Sequence, residues 1–365
     1  MTPPAPVVTP PASVVMPPAG VRPADPAFFE ALVLRVPNWI GDAVLALPAV
    51  TALVEAFRDR TIVAVARPVV APLFAGQAGI DEVVRMTDRG AGRFARARRG
   101  IAAALRGSAP AVGVVFPHSL SAAGELAAAG VQAVWGYGGW ARRLALDVAL
   151  PRRWVAGRHR WEEYALLAAA VTGRPAAERY TLATGAGDRT AADRLFAEDP
   201  TGGRGPRVGI VPGAHASSRR WPVARFTEIA GRLGRDGMRV ILFGSAADRE
   251  RTAAIAAAAD PPPLDWAGRT PLPVLVECFR RLDFLLTNDT GPMHLAAAVG
   301  TPLLDLCGAA DERVTGPRGP ASEVMVHPIH CRPCVKNSCA YNLGCMTGIP
   351  VESVYRHIRS RLEMV

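Results

Sequence analysis

Short apolar segments that alternate with helical patterns constrain the fold of this chain more than any other feature. One series lies in the first half of the chain, and a second begins near residue 207. Apolar runs of this length are typical of parallel sheets covered on both faces. They lie at 31–37, 61–68, 111–117 and from Gln132, and then at 207–213, 238–245, 283–289 and 301–308. The sequence therefore predicts an α/β fold with two doubly wound, Rossmann-like domains facing one another across a cleft.

Domain boundaries are predicted from length and composition. A chain of 365 residues exceeds the usual size of a single core. Stretches rich in Gly and Pro mark the expected joints between compact parts. We predict a disordered Pro-rich tail (1–27), an N-terminal domain (28–183), a linker (184–206), a C-terminal domain (207–349) and a last helix (350–365).

Charge and hydropathy patterning narrow the functional class. The formal net charge of +10 favours an acidic partner: nucleic acid, an anionic membrane face or a phosphorylated substrate. Charge alone does not choose among the three. The basic residues are scattered rather than clustered, which argues against binding to nucleic acid. No apolar run approaches the roughly 20 residues that span a bilayer, and the first 26 residues lack the pattern of a secretory signal. We therefore expect a soluble, cytoplasmic enzyme.

The segment TNDTGPMH, at residues 287–294, follows a predicted strand and opens a predicted helix. Asp289 and Thr290 lie at the turn, Gly291 allows close approach of a ligand, and Pro292 suits the first helical turn. The unpaired amides of a helix start, including those of Met293 and His294, favour a phosphate. The alternative is an ordinary capped helix with Asp289 or Thr290 as the N-cap.

Two further loops of the second series carry polar groups. After the strand at 207–213, the hydroxyls of Ser217 and Ser218 and the cation of Arg219 could surround a diphosphate, or the loop could simply be solvated. After the strand at 238–245, Asp248 could accept hydrogen bonds from ribose hydroxyls. It could equally complement the dipole of the following helix.

The first strand of the chain is followed by the segment NWIGD, which places Gly41 and Asp42 at a turn. Because ligands bind beyond the carboxyl ends of parallel strands, Asp42 is a candidate general base toward an acceptor hydroxyl. The alternative is an ordinary helix N-cap. His118, at the end of the strand at 111–117, is a candidate for the same side, or a capping or surface histidine.

A cluster of cysteines lies near the end of the chain. Its members, Cys331, Cys334, Cys339 and Cys345, have the spacing C-x2-C-x4-C-x5-C. Four thiolates can hold a structural zinc ion, although such sites usually consist of two CxxC pairs. Structural cysteines that are reduced or able to form disulfides are the alternative.

In their order and spacing, these motifs resemble glycosyltransferase family 9, the bacterial ADP-heptose:lipopolysaccharide heptosyltransferases, and most of all the heptosyltransferase II type. The shared features run from about Ala31 to the C-terminus and leave out only the Pro-rich tail. They are NWIGD, PGA…RRWP, FGS with following acidic residues, NDTGPMHLAAA and the late CxPC…C…CM.

The resemblance implies a GT-B fold, with the acceptor mainly on the N-terminal side and the sugar nucleotide on the C-terminal side. Asp42 matches the proposed base of the family. The segment 290–294 matches the backbone that holds the diphosphate, with Asp289 near the sugar. Arg219 stands where the family usually has lysine, which keeps the charge and changes the geometry. Asp248 matches a contact on the ribose or adenine side.

The resemblance also implies a reaction: transfer of heptose from ADP-heptose to an inner-core lipopolysaccharide acceptor, with inversion and without an obligatory metal. The expected partners are the nucleotide sugar and a lipid-linked glycan at the inner face of the inner membrane, where the protein, expected to be a monomer, could be peripheral. Three alternatives remain open: transfer of another activated sugar, a sugar-nucleotide epimerase of the two-domain type, and a non-catalytic nucleotide-binding scaffold.

Overall fold

The computed structural model describes residues 7–8, 15–18, 20–86, 92–176, 180–199 and 205–363. The chain divides into two compact units. The first comprises Ala12–Ala183, and the second comprises Met1–Pro11 together with Thr184–Val365. Each unit has its own sheet and its own hydrophobic core.

The N-terminal unit is built on a six-stranded parallel sheet with the strand order β4-β3-β2-β5-β6-β7. The short strand β1 (Val7–Val8) precedes it and belongs to the other unit. The strands are β2 (Ala31–Arg35), β3 (Thr61–Ala66), β4 (Glu82–Arg85), β5 (Ala111–Val115), β6 (Ala133–Tyr137) and β7 (Val148–Leu150). The helices are α1 (Ile40–Ala56), α2 (Arg93–Leu105), α3 (Leu120–Ala128) and α4 (Arg160–Thr172).

The C-terminal unit has a seven-stranded sheet with the order β1-β13-β12-β11-β8-β9-β10, in which only β1 is antiparallel to its neighbour. Its other strands are β8 (Arg207–Val211), β9 (Arg239–Leu242), β10 (Leu264–Asp265), β11 (Phe284–Asn288), β12 (Leu303–Cys307) and β13 (Ser322–Val326). Its helices are α5 (Ala186–Ala197), α6 (Val223–Arg235), α7 (Arg249–Ala258), α8 (Leu272–Phe279), α9 (Gly291–Val299), α10 (Glu312–Thr315), α11 (Gly344–Thr347) and α12 (Val351–Leu362).

Burial on both faces of the sheet explains why the central strands appear in the sequence as continuous apolar runs. Every residue of β2, β5, β11 and β12 is buried. Strands covered by helices on both sides have no solvent-facing positions, so the two-residue alternation of an exposed strand is absent. The predicted α/β class with two doubly wound sheets is confirmed.

Parts of the predicted tail and of the predicted linker form secondary structure and buried contacts. Within residues 1–27, Val7–Val8 pair with β13, and Ala24 is buried and donates its amide to the carbonyl of Val171. Without β1, β13 would be an edge strand with unpaired backbone groups, which readily accept another strand. The remainder of the predicted tail at 1–6, 9–14 and 19 lies outside the described residues. The predicted linker contains α5, and Phe196 of that helix packs edge-on against Trp266.

Candidate active site

The strand order places loops of both units where a ligand is expected. The first sheet reverses its order between β2 and β5, and the second between β8 and β11. At such a switch point, the loops that leave the carboxyl ends of the two central strands diverge and leave a crevice. The loop after β2 leads to Asp42, the loop after β8 to Arg219, and the loop after β11 to Asp289. Asp42, Arg219 and Asp289 therefore follow the strands at the switch point of each unit, whereas Asp248 follows β9 and the cysteine cluster follows β13.

Asn288 joins the two loops of the C-terminal switch point. Its side-chain amide donates to the carbonyl of Pro212 at 2.8 Å, and its side-chain oxygen accepts from the amide of Trp221 at 3.0 Å. The residue is completely buried, so both hydrogen bonds are shielded from water. Asn288 was not among the predicted site residues, although it lies inside the TNDTGPMH segment.

Arg219 and Asp289 form an ion pair between these loops. Arg219 ends a short 3-10 turn, and its Nη1 lies 3.1 Å from Oδ2 of Asp289. About a quarter of the arginine side chain (27%) is exposed, whereas the aspartate is nearly covered (5%). Burial raises the pKa of Asp289, and the charges of Arg219 and Arg332 act in the opposite direction. The arginine is thus held by one carboxylate while part of its side chain stays exposed.

The start of α9 is not capped by a side chain. Thr290 occupies the N-cap position with an extended backbone, but its side chain makes no capping hydrogen bond. Pro292, within the first turn, brings no amide hydrogen, and the amide of Met293 donates to the carbonyl of Thr290 at 3.1 Å. The Met293 amide, expected to be unpaired, is therefore engaged within the turn, and the side chains of Met293 and His294 are buried. Binding of an anion at this helix start stays a prediction.

Ser217 and Ser218 use their hydroxyls to hold another segment of the chain. The hydroxyl of Ser217 donates to the carbonyl of Asn337 at 3.2 Å, and that of Ser218 donates to the carbonyl of Lys336. The amide of Ser218 also donates to the carbonyl of Asn337, at 3.2 Å. These bonds fasten the cysteine-containing segment against the loop after β8. Contact of either hydroxyl with a diphosphate stays a prediction.

Asp248 has the geometry of a helix cap. Its Oδ2 accepts hydrogen bonds from the amide of Ser245 at 2.9 Å and from the hydroxyl of Ser245 at 2.7 Å, which completes a capping box. A Cβ atom added to Gly213 would collide with this carboxylate, so Asp248 lies against the loop after β8. The alternative interpretation, stabilisation of the helix start, accounts for these contacts, and a ribose contact stays a prediction.

Asp305 is a buried carboxyl group that sequence reasoning missed. It pairs laterally with Thr287 across β11 and β12, so it faces the same side of the sheet as Thr287 and Asp289. It has no exposed surface, and neither oxygen has a hydrogen-bond partner in the described part of the chain. Burial, followed by the charge of Asp289, raises the pKa of Asp305 well above its usual range. The sequence signal that could have identified Asp305 is a charged residue inside the otherwise apolar segment TPLLDLCG.

Replacing Asp305 by Asn is expected to stabilise the protein at neutral pH by about 1–3 kcal/mol, because Asn has no charge to bury and each unit by which folding raises a carboxyl pKa costs about 1.4 kcal/mol. Because the folded-state pKa lies above the unfolded value of about 3.9, stability is lost as pH rises from the unfolded pKa toward the folded one. Asn cannot ionise, so its advantage should shrink toward zero as the pH falls to about 4.

Urea unfolding of wild type and Asp305→Asn at both pH values measures this difference, with Asp59→Asn as the matched control because Asp59 has 86% of its side chain exposed. A variant that is less stable than wild type at neutral pH would contradict the assignment of Asp305 as an unsatisfied, destabilising group.

A cavity lies beside this cluster. Its volume is about 470 Å³, and Glu312, Arg332 and residues of the segment 328–333 line it. Arg332 donates to Glu312 at 2.7 Å and to the carbonyl of Gly308 at 2.5 Å. A volume of this size falls in the range of small-molecule sites.

The cysteines are free thiols with differing exposure. Cys331, Cys334 and Cys339 are partly exposed, and Cys345 is buried. Burial raises the pKa of the Cys345 thiol, and the neighbouring cysteines add to this effect. Within the residues that the structure describes, which include all of these cysteines, no group of three or more His, Cys, Asp or Glu side chains is arranged to hold a metal ion. The hypothesis of a structural zinc ion therefore has no support here.

In the N-terminal unit, Asp42 lies in the first turn of α1 with 30% of its side chain exposed. Gly41 beside it is buried. Nε of Arg160, at the start of α4, is 3.8 Å from Oδ1 of Asp42, and the Tyr164 hydroxyl hydrogen-bonds to the same carboxylate. Partial burial raises the pKa of Asp42, although Arg160 and Tyr164 counteract it. A half-buried carboxylate with a raised pKa is suited to accept a proton.

His118, in the loop after β5 at the same switch point, contacts a guanidinium with one ring nitrogen and a carboxylate with the other. Nη2 of Arg152 bonds to Nδ1 of the histidine, so the ring proton is assigned to Nε2, which faces Oε1 of Glu163. Burial would raise the pKa of Glu163, but the hydrogen bond from His118 and the charge of Arg160 outweigh it and lower that pKa. Glu163 and Arg160 are also joined at 2.6 Å, so this network extends to the partner of Asp42.

A buried ion pair at the end of β2 holds the loop that leads to Asp42. Nε of Arg35, at the end of β2, donates to Oε2 of Glu125 at 2.7 Å. Nη2 of the same guanidinium donates to Oδ1 of Asn38 at 2.9 Å, and Nη1 donates to the carbonyl of Val36 at 2.8 Å. Arg35 and Glu125 were not predicted, because nothing local in the sequence connects β2 to α3.

Comparison with protein families gives a match to "Glycosyltransferase family 9 (heptosyltransferase)" over residues 98–343. Among curated proteins, "Lipopolysaccharide heptosyltransferase 2" of Salmonella typhimurium is 36% identical over 125 residues, covering 33% of this chain and 36% of that protein. "Lipopolysaccharide heptosyltransferase 1" of Pseudomonas aeruginosa is 33% identical over 141 residues, covering 37% of this chain and 38% of that protein. The alignments thus span little more than a third of these relatives.

Solved structures extend the likeness over the whole fold. The structure of Escherichia coli ADP-heptose lipopolysaccharide heptosyltransferase II has a TM-score of 0.74 and 24% identity, covering 92% of this chain and 99% of that one. A glycosyltransferase family 9 structure from Veillonella parvula has a TM-score of 0.80 and 19% identity, covering 93% and 98%. The predicted GT-B class, with two doubly wound domains, is confirmed by these likenesses.

Proposed function

Because the chain belongs to glycosyltransferase family 9, we propose that it is an inverting glycosyltransferase that moves heptose from ADP-heptose to an inner-core lipopolysaccharide acceptor. The observation that carries this proposal is the C-terminal switch point. There, a partly exposed arginine and an uncapped helix start lie on neighbouring loops that Asn288 holds together. This combination of a cation and helix-start amides is suited to a diphosphate.

On the donor side, the segment 290–294 and Arg219 bind the diphosphate of ADP-heptose. Positive charge aimed at the leaving diphosphate stabilises the negative charge that develops as the bond to the anomeric carbon breaks. Asp289 orients Arg219 through their ion pair and lies near the sugar. Asp248 and the loop after β8 contact the nucleoside. In this proposal the protein itself stabilises the developing charge, without an obligatory metal.

On the acceptor side, Asp42 removes the proton from the attacking hydroxyl. Its oxygen then forms a bond to the anomeric carbon on the face opposite the departing ADP, so a single displacement inverts that centre. The transition state resembles an oxocarbenium ion. The raised pKa of Asp42 strengthens it as a base, while the Arg160 charge and the Tyr164 hydrogen bond keep its carboxylate form accessible. His118, Glu163 and Arg152 form a hydrogen-bonded network, and we propose that it contacts the acceptor.

The proposal predicts a specific product. Purified protein mixed with ADP-heptose and a heptosylated lipid A–Kdo acceptor should add the mass of one heptose residue to the acceptor and release ADP, and mass spectrometry measures both. ADP-glucose is the control donor, because it retains the nucleotide and changes only the sugar.

Two outcomes would contradict this proposal. Conversion of the sugar nucleotide without an acceptor would indicate an epimerase, and ADP binding with no chemistry on any acceptor would indicate a scaffold. Transfer from ADP-glucose at an equal rate would leave a glycosyltransferase but remove the assignment of the donor sugar.

We further propose that the protein works as a monomer beside the inner face of the inner membrane, where a lipid-linked acceptor is available. Within the residues that the structure describes, no helix has the length and apolarity to cross a bilayer. Access to a lipid-linked acceptor would then depend on the surface of the folded units.

A further inference from the structure

Two large apolar side chains of the N-terminal unit are almost fully exposed. Trp140 is 97% exposed and Leu144 is 92% exposed. Both lie in the segment 139–145 after β6, where a short 3-10 turn spans Arg142–Ala145. Single exposed apolar residues are common, but two large ones this close in the chain indicate a surface that something else covers. We call the segment 138–153 the Trp140 surface.

Arginines surround these apolar side chains. A cavity of about 450 Å³ is lined by Trp140 together with Arg143, Arg152 and Arg153, all of which are exposed. Between residues 138 and 160 the chain has several arginines and a single acidic residue, Asp147. Asp147 accepts a hydrogen bond from the amide of Val134 at 2.8 Å, which holds its carboxylate against β6. The Trp140 surface is therefore apolar at its tip and positively charged around it.

We propose that the Trp140 surface docks the protein on a bilayer that contains anionic phospholipids. Indole rings prefer the boundary between headgroups and acyl chains, and exposed arginines bind lipid phosphates. One weak apolar anchor gives only marginal binding, whereas an apolar anchor with a basic patch gives stable attachment. The proposal stands apart from sugar transfer, because the surface would bind lipid whatever reaction the protein catalyses.

The combination of side chains favours lipid over the other possible occupants. An aromatic and basic surface could also bind single-stranded nucleic acid, in which bases stack on aromatic rings. Leu144 has no aromatic face for stacking, yet it is as exposed as Trp140. A second copy of this chain would bring the arginines of two Trp140 surfaces together, and like charges repel. An anionic bilayer accepts both the apolar tip and the arginines.

Vesicle flotation tests this proposal with the full-length protein. Wild type should float with vesicles of phosphatidylcholine and phosphatidylglycerol, and far less with phosphatidylcholine alone, and high salt should release it. The double variant Trp140→Ser/Leu144→Ser should bind these vesicles at least roughly tenfold more weakly than wild type. The pair Arg143→Glu/Arg153→Glu should lose the preference for anionic vesicles. All four side chains are exposed, so folding measured by circular dichroism should be unchanged.

The matched control is the double variant Val69→Ser/Leu120→Ser, which removes apolar side chains that are 53% and 49% exposed elsewhere in the same unit. It should bind vesicles like wild type. Equal binding by the Trp140/Leu144 variant, equal binding to neutral vesicles, displacement by RNA, or a wild-type dimer that this variant dissociates would each overturn the proposal. Transfer to a detergent-solubilised acceptor is measured separately, so loss of docking and loss of catalysis can be told apart.

Discussion

Replacing Asp42 by Asn is expected to lower kcat for sugar transfer by about 10²–10⁴-fold, the usual contribution of a positioned general base. Asn keeps the size of the side chain but cannot take the proton from the acceptor hydroxyl. The expected readouts are steady-state kinetics with ADP-heptose and calorimetric binding of ADP. Since Asp42 belongs to the N-terminal unit, binding of ADP should persist.

The pH profile distinguishes a base from a structural residue. The raised pKa of Asp42 predicts that the acid limb of kcat/KM lies above about 3.9, the ordinary value for aspartate. The residual activity of Asp42→Asn should lack this limb. Asp59→Asn is the matched control, with a carboxyl group that is 86% exposed just after α1. Loss of ADP binding or of folding in Asp42→Asn would assign Asp42 a structural function instead.

Replacing Arg219 by Met is expected to lower kcat/KM for ADP-heptose by about 10²–10³-fold, the range found when a group that stabilises developing negative charge is removed. Arg219→Lys restores the charge without the planar fork, so it should recover part of the activity. Arg356→Ala is the control, because Arg356 is 72% exposed on α12 and pairs only with Glu352 in the described structure.

A structural effect of Arg219→Met has to be separated from a catalytic one. Removing the arginine leaves Asp289 buried beside Asp305 without its ion-pair partner, which by itself destabilises the site. The double variant Arg219→Met/Asp289→Asn removes both charges and should regain thermal stability without regaining transfer. Full activity of Arg219→Met, or recovery of activity in the double variant, would contradict the assignment of Arg219 to the diphosphate.

Much of the fold could be predicted from local sequence, and less of the site. The apolar runs at 31–37 and 283–289 correspond to β2 and β11, because strands buried on both faces leave a strong local signal. The start of α9 was predicted for a similar reason, since Gly and Pro after a strand mark a helix start. The strand formed by Val7–Val8 was not predicted, because two residues carry little signal and their partner, β13, lies at the other end of the chain.

The hydroxyls of Ser217 and Ser218 show that residue type alone does not determine which group a side chain binds. Their residue types suit a phosphate loop, but in the fold they donate to carbonyls at residues 336–337. Asp248 is a second case, since its carboxylate is engaged in a capping box with Ser245. The serines bond to backbone carbonyls, and Asp248 bonds to the amide and the hydroxyl of Ser245. Backbone groups are present in every sequence and leave no mark in it.

The sequence by itself determined that polar, glycine-containing segments follow strands at residues 41–42 and 289–291, because such preferences are local. The structure places residues 41–42, predicted to form a turn, inside the first turn of α1, whose N-cap is Trp39. Only the tertiary structure decided that Arg219 pairs with Asp289, and that Asp305 lies buried on the same face of the sheet. These relations depend on strand order and lateral register between distant segments. A shift of register by one residue would turn Asp305 to the opposite face, and no local pattern records that choice.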